Sequence, residues 1–346
     1  MSFIKSFLLV AAILVTVTGC IYAGGLSDSN LVNTKSFSVS GLQSISVNYP
    51  SDNIKIFRDN GNSVVLKEYM SRNNTSFYAK TSQSGGRLAI ERGNRRPWFY
   101  FNCRIEITIP YSFTGNLDVH VSSANIDATD LQGFSDLDLR SSSGSLRLGD
   151  ITAAKAKLNS SSGTISIDSI EAQTINIENS SGGISVDTIE AQTINLTTNS
   201  GRIRCQSASG EIQAETSSGA ATFEKIFGNI DIRTSSGTIK LNRIEGALRA
   251  RSSSASIDCD VAKPTGDINI TTNSGAVRLG LPDSSVFKFT AETSSGSIRT
   301  PFNDRLMSPL NDRSRAEGLI NADRGTSDQI NIDIRTSSGS INVSWL

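Results

Sequence analysis

A Ser-Ser-Gly phrase, followed by alternating apolar residues, returns about every nineteen positions from residue 124 to residue 346. Two clear copies are Ser161-Ser162-Gly163-Thr164-Ile165 and Ser235-Ser236-Gly237-Thr238-Ile239. A fixed period near twenty residues is typical of a solenoid, in which each repeat forms one turn and packs only on its neighbours. The repeat therefore constrains the fold of most of the chain, and it says much less about chemistry.

Each copy has the same apolar spacing around its glycine. Apolar residues stand two and four positions after the glycine and another stands five positions before it, as Ile165 and Leu158 do around Gly163. Alternation with period two indicates a strand with one buried face, so each copy reads as strand, corner and strand. We expect glycine at the corner because it tolerates positive φ without a Cβ clash. Ala124 and Ala255 occupy the same slot.

Two short strands per turn must pair with the equivalent strands of the turns above and below, which gives parallel sheets. The sequence therefore predicts an all-β fold, a parallel β-solenoid or single-stranded β-helix of about eleven turns with 18–21 residues each. We expect a right-handed coil, because parallel crossovers are usually right-handed, and a rod roughly 50 Å long. Residues 301–331 read as one variable corner enlarged into an insertion.

The N-terminus reads as a lipoprotein signal peptide over residues 1–19. Its apolar run is too short for a comfortable transmembrane helix, and it ends in Val17-Thr18-Gly19-Cys20. This stretch resembles a bacterial lipobox, in which Cys20 is acylated and becomes the new N-terminus, and two or more acyl chains anchor a protein stably. The alternative is an ordinary signal peptide with an unrelated cysteine. Residues 20–34 are small and polar and read as a tether.

Residues 35–112 are also β-like but fall outside the repeat. We expect them to form an irregular β cap over a solenoid that occupies residues 113–346, because an uncovered terminal strand invites edge-to-edge pairing. At the other end, Trp345 and Leu346 are placed to close the last turn, with the 301–331 insertion lying over it.

Charge and cysteine content exclude several function classes. The 33 basic residues balance the 33 acidic ones and no face is evidently basic, so we expect no nucleic-acid partner. Cys103, Cys205 and Cys259 are an odd number, which argues against a disulfide framework, and we interpret them as small buried apolar side chains. The single histidine, His120, has no partners at zinc-ligand spacing and belongs to no convincing Ser-His-Asp set. We therefore expect no catalytic residues, no metal and no cofactor.

Stacked carboxylates are the most enzyme-like feature of the repeat. Asp168 and Asp187 lie one turn apart at the same position, as do Glu171 and Glu190. Like charges roughly 5 Å apart repel unless a cation or base lies between them, and parallel β-helix polysaccharide lyases bind calcium and substrate through such ladders. The competing interpretation is that all four are solvated outward residues copied by duplication of one turn. We favour the second interpretation, since a fold alone does not imply activity.

The segment from Arg92 to Phe101 is the one basic and aromatic cluster of the chain. Its outward members could stack on sugar rings or enter a lipid surface, while the alternate members could cover the first turn. Trp98 and Tyr100, together with Arg95 and Arg96, are therefore the candidate ligand contacts.

A family resemblance is carried by Phe37-Ser-Val-Ser-Gly41, Ile105-Glu-Ile-Thr-Ile-Pro110 and Ile334-Arg-Thr-Ser-Ser-Gly-Ser-Ile341. Over roughly residues 35–346 the chain resembles a bacterial family of unknown function, called putative adhesins, with an anchor or signal, a β N-terminal part and Ser-Ser-Gly-x-Ile repeats. The resemblance implies a single-stranded right-handed β-helix displayed at the cell envelope, here in lipoprotein form. It brings no catalytic or binding residues with it.

These observations predict a non-enzymatic cell-envelope lipoprotein, an adhesin-like scaffold that is held to a membrane by its N-terminal lipid and binds a glycan or protein ligand. Ile21 stands where an aspartate would retain a lipoprotein at the inner membrane of some Gram-negative bacteria, which favours the outer membrane or cell surface. Two alternatives stay open. One is a polysaccharide-active enzyme that uses the stacked carboxylates, and the other is an envelope-stress or assembly accessory protein that binds a membrane partner.

Overall fold

The computed structural model describes residues 29–95, 102–306, 314–322 and 330–346. The helical elements that lie wholly within these ranges are two short 3₁₀ turns, Thr75–Phe77 and Asn303–Arg305, and no helix there has the length and apolar character to span a membrane. The all-β prediction is confirmed. The strands are β1 Asn30–Ser38, β2 Ser44–Tyr49, β3 Asn53–Asp59, β4 Ser63–Met70, β5 Lys80–Ser84, β6 Arg87–Glu91, β7 Cys103–Pro110, β8 Asn116–Val121, β9 Ile126–Ser141, β10 Leu146–Ser160, β11 Ile165–Asn179, β12 Ile184–Thr198, β13 Ile203–Thr216, β14 Ala221–Phe223, β15 Ile226–Phe227, β16 Ile230–Thr234, β17 Ile239–Ser252, β18 Ile257–Thr272, β19 Val277–Leu281, β20 Phe287–Thr293, β21 Ile298–Arg299, β22 Arg315–Ile320, β23 Ile330–Thr336 and β24 Ile341–Trp345.

The repeats stack in register. In the middle of the rod each turn is one bent strand, and the 15-residue strands β11 and β12 pair in parallel along their whole length. Ile165 lies beside Ile184, and Ile177 lies beside Leu196. Apolar side chains thus occupy the same inward positions in successive turns and form one continuous core. The prediction of a parallel β-solenoid is confirmed, and we call the strands of one turn a rung.

The corner glycines are needed for a reason other than the one expected. Gly163 and its counterparts do not adopt positive φ, and neither do Ala124 and Ala255. Instead, a Cβ at Gly163 would lie 2.0 Å from the carbonyl oxygen of Gly144 on the preceding rung, and the corresponding distances along the series are 1.6–2.2 Å. The expectation of positive φ is wrong. At the glycine corners the stacked backbones approach each other too closely for a side chain, and Ala124 and Ala255 are the two corners that accommodate a Cβ.

From the Gly144 corner onward, a mostly buried column of Ser, Thr and Asn side chains, three residues before each corner, ties adjacent rungs together. Thr216 shows the pattern: its Oγ1 accepts a hydrogen bond from the N–H of Gly219 at 3.0 Å and donates one to the carbonyl oxygen of Gly201 at 3.3 Å. Buried polar groups are costly unless they are hydrogen-bonded. These side chains therefore fix how each corner sits on the corner of the preceding rung.

At the N-terminal end the order of the rungs departs from the order of the sequence. β2 pairs in parallel with β6 on one side and β8 on the other, and β3 pairs likewise with β7 and β9. The β2–β3 rung therefore lies one place inside the outermost parallel rung, β6–β7. Antiparallel β4 and β5 cover that outer rung, and β1 pairs with β4. Residues 35–112 thus contribute two parallel rungs as well as a cover.

The C-terminal end is also out of order. β23 pairs with both β18 and β20, and β24 pairs with both β19 and β21. The last rung of the chain is therefore inserted one place inside the end, and β20–β21 lies outermost under antiparallel β22. The expectation that Trp345 and Leu346 close the final turn is wrong, because their rung is internal. The 301–331 insertion supplies the covering strand β22, over β20–β21.

Candidate functional site

A groove of about 480 Å³ crosses the outward side of the strands that follow the corners, near the N-terminal end of the rod. We call this surface the post-corner face and the depression the Phe57–Asp168 groove. Four successive rungs line it with outward residues from β3, β9, β10 and β11. These residues are Lys55, Phe57, Asp127, Thr129, Arg147, Gly149, Ser166 and Asp168.

Gly149 forms the floor of the groove. It stands five positions after the corner glycine Gly144, where the next turns carry Asp168 and Asp187, so one outward side chain is missing from the column. A Cβ at Gly149 would lie 2.2 Å from the carbonyl oxygen of Thr129. No side chain fits there without moving backbone, and the depression is therefore built into the stacking of β9 and β10.

Phe57 forms one end of the groove. β3 alternates the buried residues Ile54 and Ile56 with the outward residues Lys55 and Phe57, and the Phe57 ring is 38% exposed. The ring offers a flat apolar surface to solvent. Phe57 and Asp168 are three rungs apart, which at the usual strand spacing corresponds to roughly 14 Å.

Charges alternate along the column beside the ring. Glu106, Lys55, Asp127 and Arg147 occupy one position on four successive rungs. Asp127 pairs with Arg147 at 3.2 Å, and Glu106 pairs with Arg104 at 3.1 Å. Lys55 stands between these two carboxylates, and within the described ranges it forms no ion pair of its own.

The predicted acidic ladders are stacked in register on the surface. Glu171 pairs with Glu190 along β11 and β12, and both side chains are exposed. Asp187 accepts a hydrogen bond from Gln206 Nε2 at 2.5 Å, whereas Asp168 lines the groove. Among the residues that the structure describes, no three His, Cys, Asp or Glu side chains converge as metal ligands. The exposure of the ladders fits the interpretation of solvated outward residues.

Arg95, predicted as a ligand contact, lies inside the N-terminal end. Its side chain is 2% exposed, and its guanidinium nitrogens lie 2.9 Å from carboxylate oxygens of Asp52 and Glu68. Glu68 also accepts a hydrogen bond from the N–H of Ala79 at 2.8 Å. Burial raises the pKa of Asp52, although Arg95 acts in the opposite direction. This arrangement contradicts a ligand-contact role for Arg95, because the guanidinium is enclosed by two carboxylates.

Four predicted site residues lie outside the described residues: Cys20, Arg96, Trp98 and Tyr100. Lipidation of Cys20 and ligand contact by the other three stay predictions.

The cysteines of the described ranges are free thiols with two kinds of surroundings. Cys205 and Cys259 are buried in the core as expected, and burial raises the pKa of the Cys205 thiol to about 12. Cys103 is half-buried, and its Sγ accepts a hydrogen bond from Arg95 Nη1 at 2.8 Å. Cys103 packs against the core, and it also borders the ionic cluster of Asp52, Glu68 and Arg95 in the cap.

The sequence matches a known family over nearly all the described fold. The model of the family Toastrack DUF4097 matches residues 42–225 and 205–344. This chain belongs to the Toastrack family. No curated protein matches it.

Solved structures resemble this Toastrack chain only distantly. A putative cell adhesion protein from Clostridium sporogenes is 10% identical, with 91% of this chain and 98% of that chain covered and a TM-score of 0.20. A putative lipid binding protein from Parabacteroides distasonis is 16% identical, with 68% and 95% covered and a TM-score of 0.40. A putative adhesin from Parabacteroides merdae is 12% identical, with 71% and 91% covered and a TM-score of 0.33. With such low TM-scores these likenesses carry no argument about this chain.

Sequence reasoning missed the main elements of the groove in this Toastrack chain. Gly149 was detectable, because it interrupts a column that carries Asp168 and Asp187 in the following turns. Phe57 was detectable only in part: its outward position follows from alternation in β3, but its place beside β9 depends on the order of the rungs.

Proposed function

We propose that this Toastrack protein is a non-enzymatic, lipid-anchored binding scaffold of the cell envelope, adhesin-like, which holds a glycan in the Phe57–Asp168 groove. The groove carries the proposal, because an exposed aromatic ring and polar side chains from four successive rungs line one depression. Apolar surface with a few well-placed polar groups is the usual composition of a ligand site. A sugar matches it with an apolar ring face and a rim of hydroxyls.

The scaffold favours this role because the groove residues stand on strands. Sites built on strands are held more precisely than sites on loops. The supporting rungs β9, β10 and β11 pair along most of their length, and Ser141 and Ser160 tie their corners together. A glycan lying along the rod would meet equivalent positions at every rung, about 4.8 Å apart.

The anchor follows from the lipobox. The structure shortens the tether expected over residues 20–34, because β1 already begins at Asn30. Lipidated Cys20 and the residues that follow it would lead into β1, whose partner β4 covers the outer rung of the N-terminal end. The groove would then lie towards the anchored end, at the outer membrane or cell surface. Labelling with a fatty-acid analogue tests this: wild type should take up label in the membrane fraction and Cys20→Ala should not. Unlabelled wild type would rule out the lipid anchor.

Glycan binding is tested on a glycan array with Phe57→Ala and a matched control. Phe227 is a comparable exposed ring, 40% exposed, on β15 away from the groove. We expect Phe57→Ala to lose the array signal and Phe227→Ala to keep it. Equal binding by all three proteins, or no glycan bound by wild type, contradicts the proposal.

Two further observations on the same protein preparations would identify the two competing functions. Release of shortened products from a bound polysaccharide, abolished by Asp168→Ala, would show an enzyme. Stoichiometric co-purification of one membrane protein from solubilised membranes, without glycan binding, would show an accessory protein.

A further inference from the structure

We infer that the Phe57–Asp168 groove selects acidic glycans, with a sugar carboxylate bound by the Lys55 ammonium while a sugar ring lies on Phe57. The inference rests on the proposed function and narrows the ligand to chains that contain uronate or a similarly carboxylated sugar. Its basis is the unequal pairing of charges within the groove.

Lys55 is the groove cation whose charge stays available. On one neighbouring rung Glu106 is engaged by Arg104 at 3.1 Å, and on the other Asp127 is engaged by Arg147 at 3.2 Å. Lys55 itself forms no ion pair within the described ranges. It also stands two residues from Phe57 on the same side of β3. An anion bound at Lys55 would therefore lie beside the aromatic surface.

The other end of the groove has the opposite character. Asp168 lies three rungs from Phe57, roughly 14 Å away, and within the described ranges it has no ion-pair or side-chain hydrogen-bond partner. A carboxylate there can accept hydrogen bonds from sugar hydroxyls or amides, and it repels a second anion. The groove thus fits a carboxylated sugar at Phe57 followed by a neutral sugar towards Asp168, and it gives the chain a direction.

An acidic peptide would supply the same carboxylate, but the geometry favours a glycan. Extended peptides commonly bind by adding a strand to a free sheet edge. Here β3 is already paired on both sides, with β7 and β9. The post-corner face offers side chains and no free backbone edge at the groove.

The test measures binding of hyaluronate, alginate and polygalacturonate oligosaccharides, each beside its neutral methyl ester, with polyglutamate as the peptide probe. Wild type should bind hyaluronate, whose carboxylated sugars alternate with neutral ones, about fivefold more tightly than its ester, as expected for an exposed ion pair. That preference should vanish in roughly 1 M salt. Lys55→Met should bind acid and ester equally. Lys240→Met, which removes a lysine from the same column on a distant rung, should keep the preference.

Phe57→Ala separates failure of this inference from failure of the proposed function. If Phe57→Ala abolishes binding of acid and ester but Lys55→Met keeps the fivefold preference, acid selection at Lys55 is overturned and the groove stands. If neither substitution changes binding, the groove is not the site and both proposals fall. Wild type that prefers no acid over its ester, or that prefers polyglutamate, overturns the inference directly.

Discussion

At the N-terminal end of the rod the outermost parallel rung is β6–β7, and at the C-terminal end it is β20–β21. The rung nearest each chain terminus, β2–β3 or β23–β24, lies one place further in. Antiparallel strands then cover both ends. Terminal segments usually fray unless they are tied down. Here the rung nearest each terminus is held between two neighbouring rungs, and β1, which precedes β2–β3, is paired with β4.

The two ends use different chemistry beneath their covers. At the N-terminal end Arg95 is enclosed by Asp52 and Glu68, and Glu68 is fully buried. A buried ion network contributes little net stability, yet removing one member is costly because the others lose their partner. The structure of the N-terminal end therefore depends on keeping these buried charges paired.

The C-terminal end is filled with aromatic rings. Phe287, Phe289, Phe302 and Trp345 pack with ring centroids 5.1–6.5 Å apart. Apolar burial contributes in proportion to the area removed from water, whichever partner covers it. The contrast leads to two different expectations. The N-terminal end should lose much of its stability when one charge is left unpaired, and the C-terminal end should lose stability in proportion to the side-chain volume removed.

Deleting residues 330–346 should produce the largest effect, because it removes the rung that lies between β18–β19 and β20–β21. Four buried apolar side chains leave with it, worth roughly 6–12 kcal/mol together; they are Ile332, Ile334, Ile341 and Val343. Hydrogen exchange read by mass spectrometry should show β20 and β22 unprotected and β2–β7 unchanged. A chain that lacks only the exposed Leu346 should keep protection in β20. Full protection of β20 after the larger deletion would contradict the inserted-rung order.

Arg95→Met tests the ionic end. It leaves Asp52 and Glu68 buried without a cation, and breaking a buried pair in this way costs about 3–5 kcal/mol. We expect earlier urea unfolding and lost exchange protection in β4 and β6, with the C-terminal end unaffected. The double variant Arg95→Met/Glu68→Leu should recover part of the loss. If Arg95→Met alone were as stable as wild type, the ion pairs of Arg95 with Asp52 and Glu68 would not be needed for the stability of this end.

Phe289→Ala tests the aromatic end. The ring is fully buried and lies 5.1 Å from Phe302, so its removal leaves a cavity that costs about 3 kcal/mol. Exchange protection should fall in β20 and β22 while the N-terminal end keeps its own. Phe289→Leu, which refills part of the volume, should lose less. Equal losses for the two variants would argue against volume as the cause.

The fold was predictable to the extent that its signals are local. Alternation and corner spacing are visible in any one copy and the period in any two consecutive copies, and together they specify parallel stacked turns. The order of the rungs is not visible, because the strand around Ile334 has the same inward pattern as the strand around Ile270 and fits the same neighbours. What selects its place is contact with distant residues such as Phe289 and Phe302.

In the candidate site, too, local features could be predicted from the sequence, and features that depend on the order of the rungs could not. Gly149 could be predicted, because comparison of columns shows one missing side chain. The groove beside it could not, because Phe57 is in line with Thr129 only when β2–β3 is placed between β6–β7 and β8–β9, and the sequence does not show that order. Arg95 was misassigned for a related reason: its partners Asp52 and Glu68 are far away in sequence, and a basic residue near aromatics looks the same whether it is buried or exposed.

Thr216→Val should give the smallest of the four effects, and it extends the comparison of the ends to the middle of the rod. Valine keeps the shape but leaves the N–H of Gly219 and the carbonyl of Gly201 without the side-chain partner they have now. Unsatisfied buried groups cost about 1–3 kcal/mol. Because a solenoid rung contacts only its neighbours, the loss of exchange protection should stay within the adjoining rungs and leave both ends intact. Thr216→Ser, which retains the hydroxyl, is the control. If Thr216→Val instead loosens β20 or β4, stability is shared along the whole rod and the two ends are not independent.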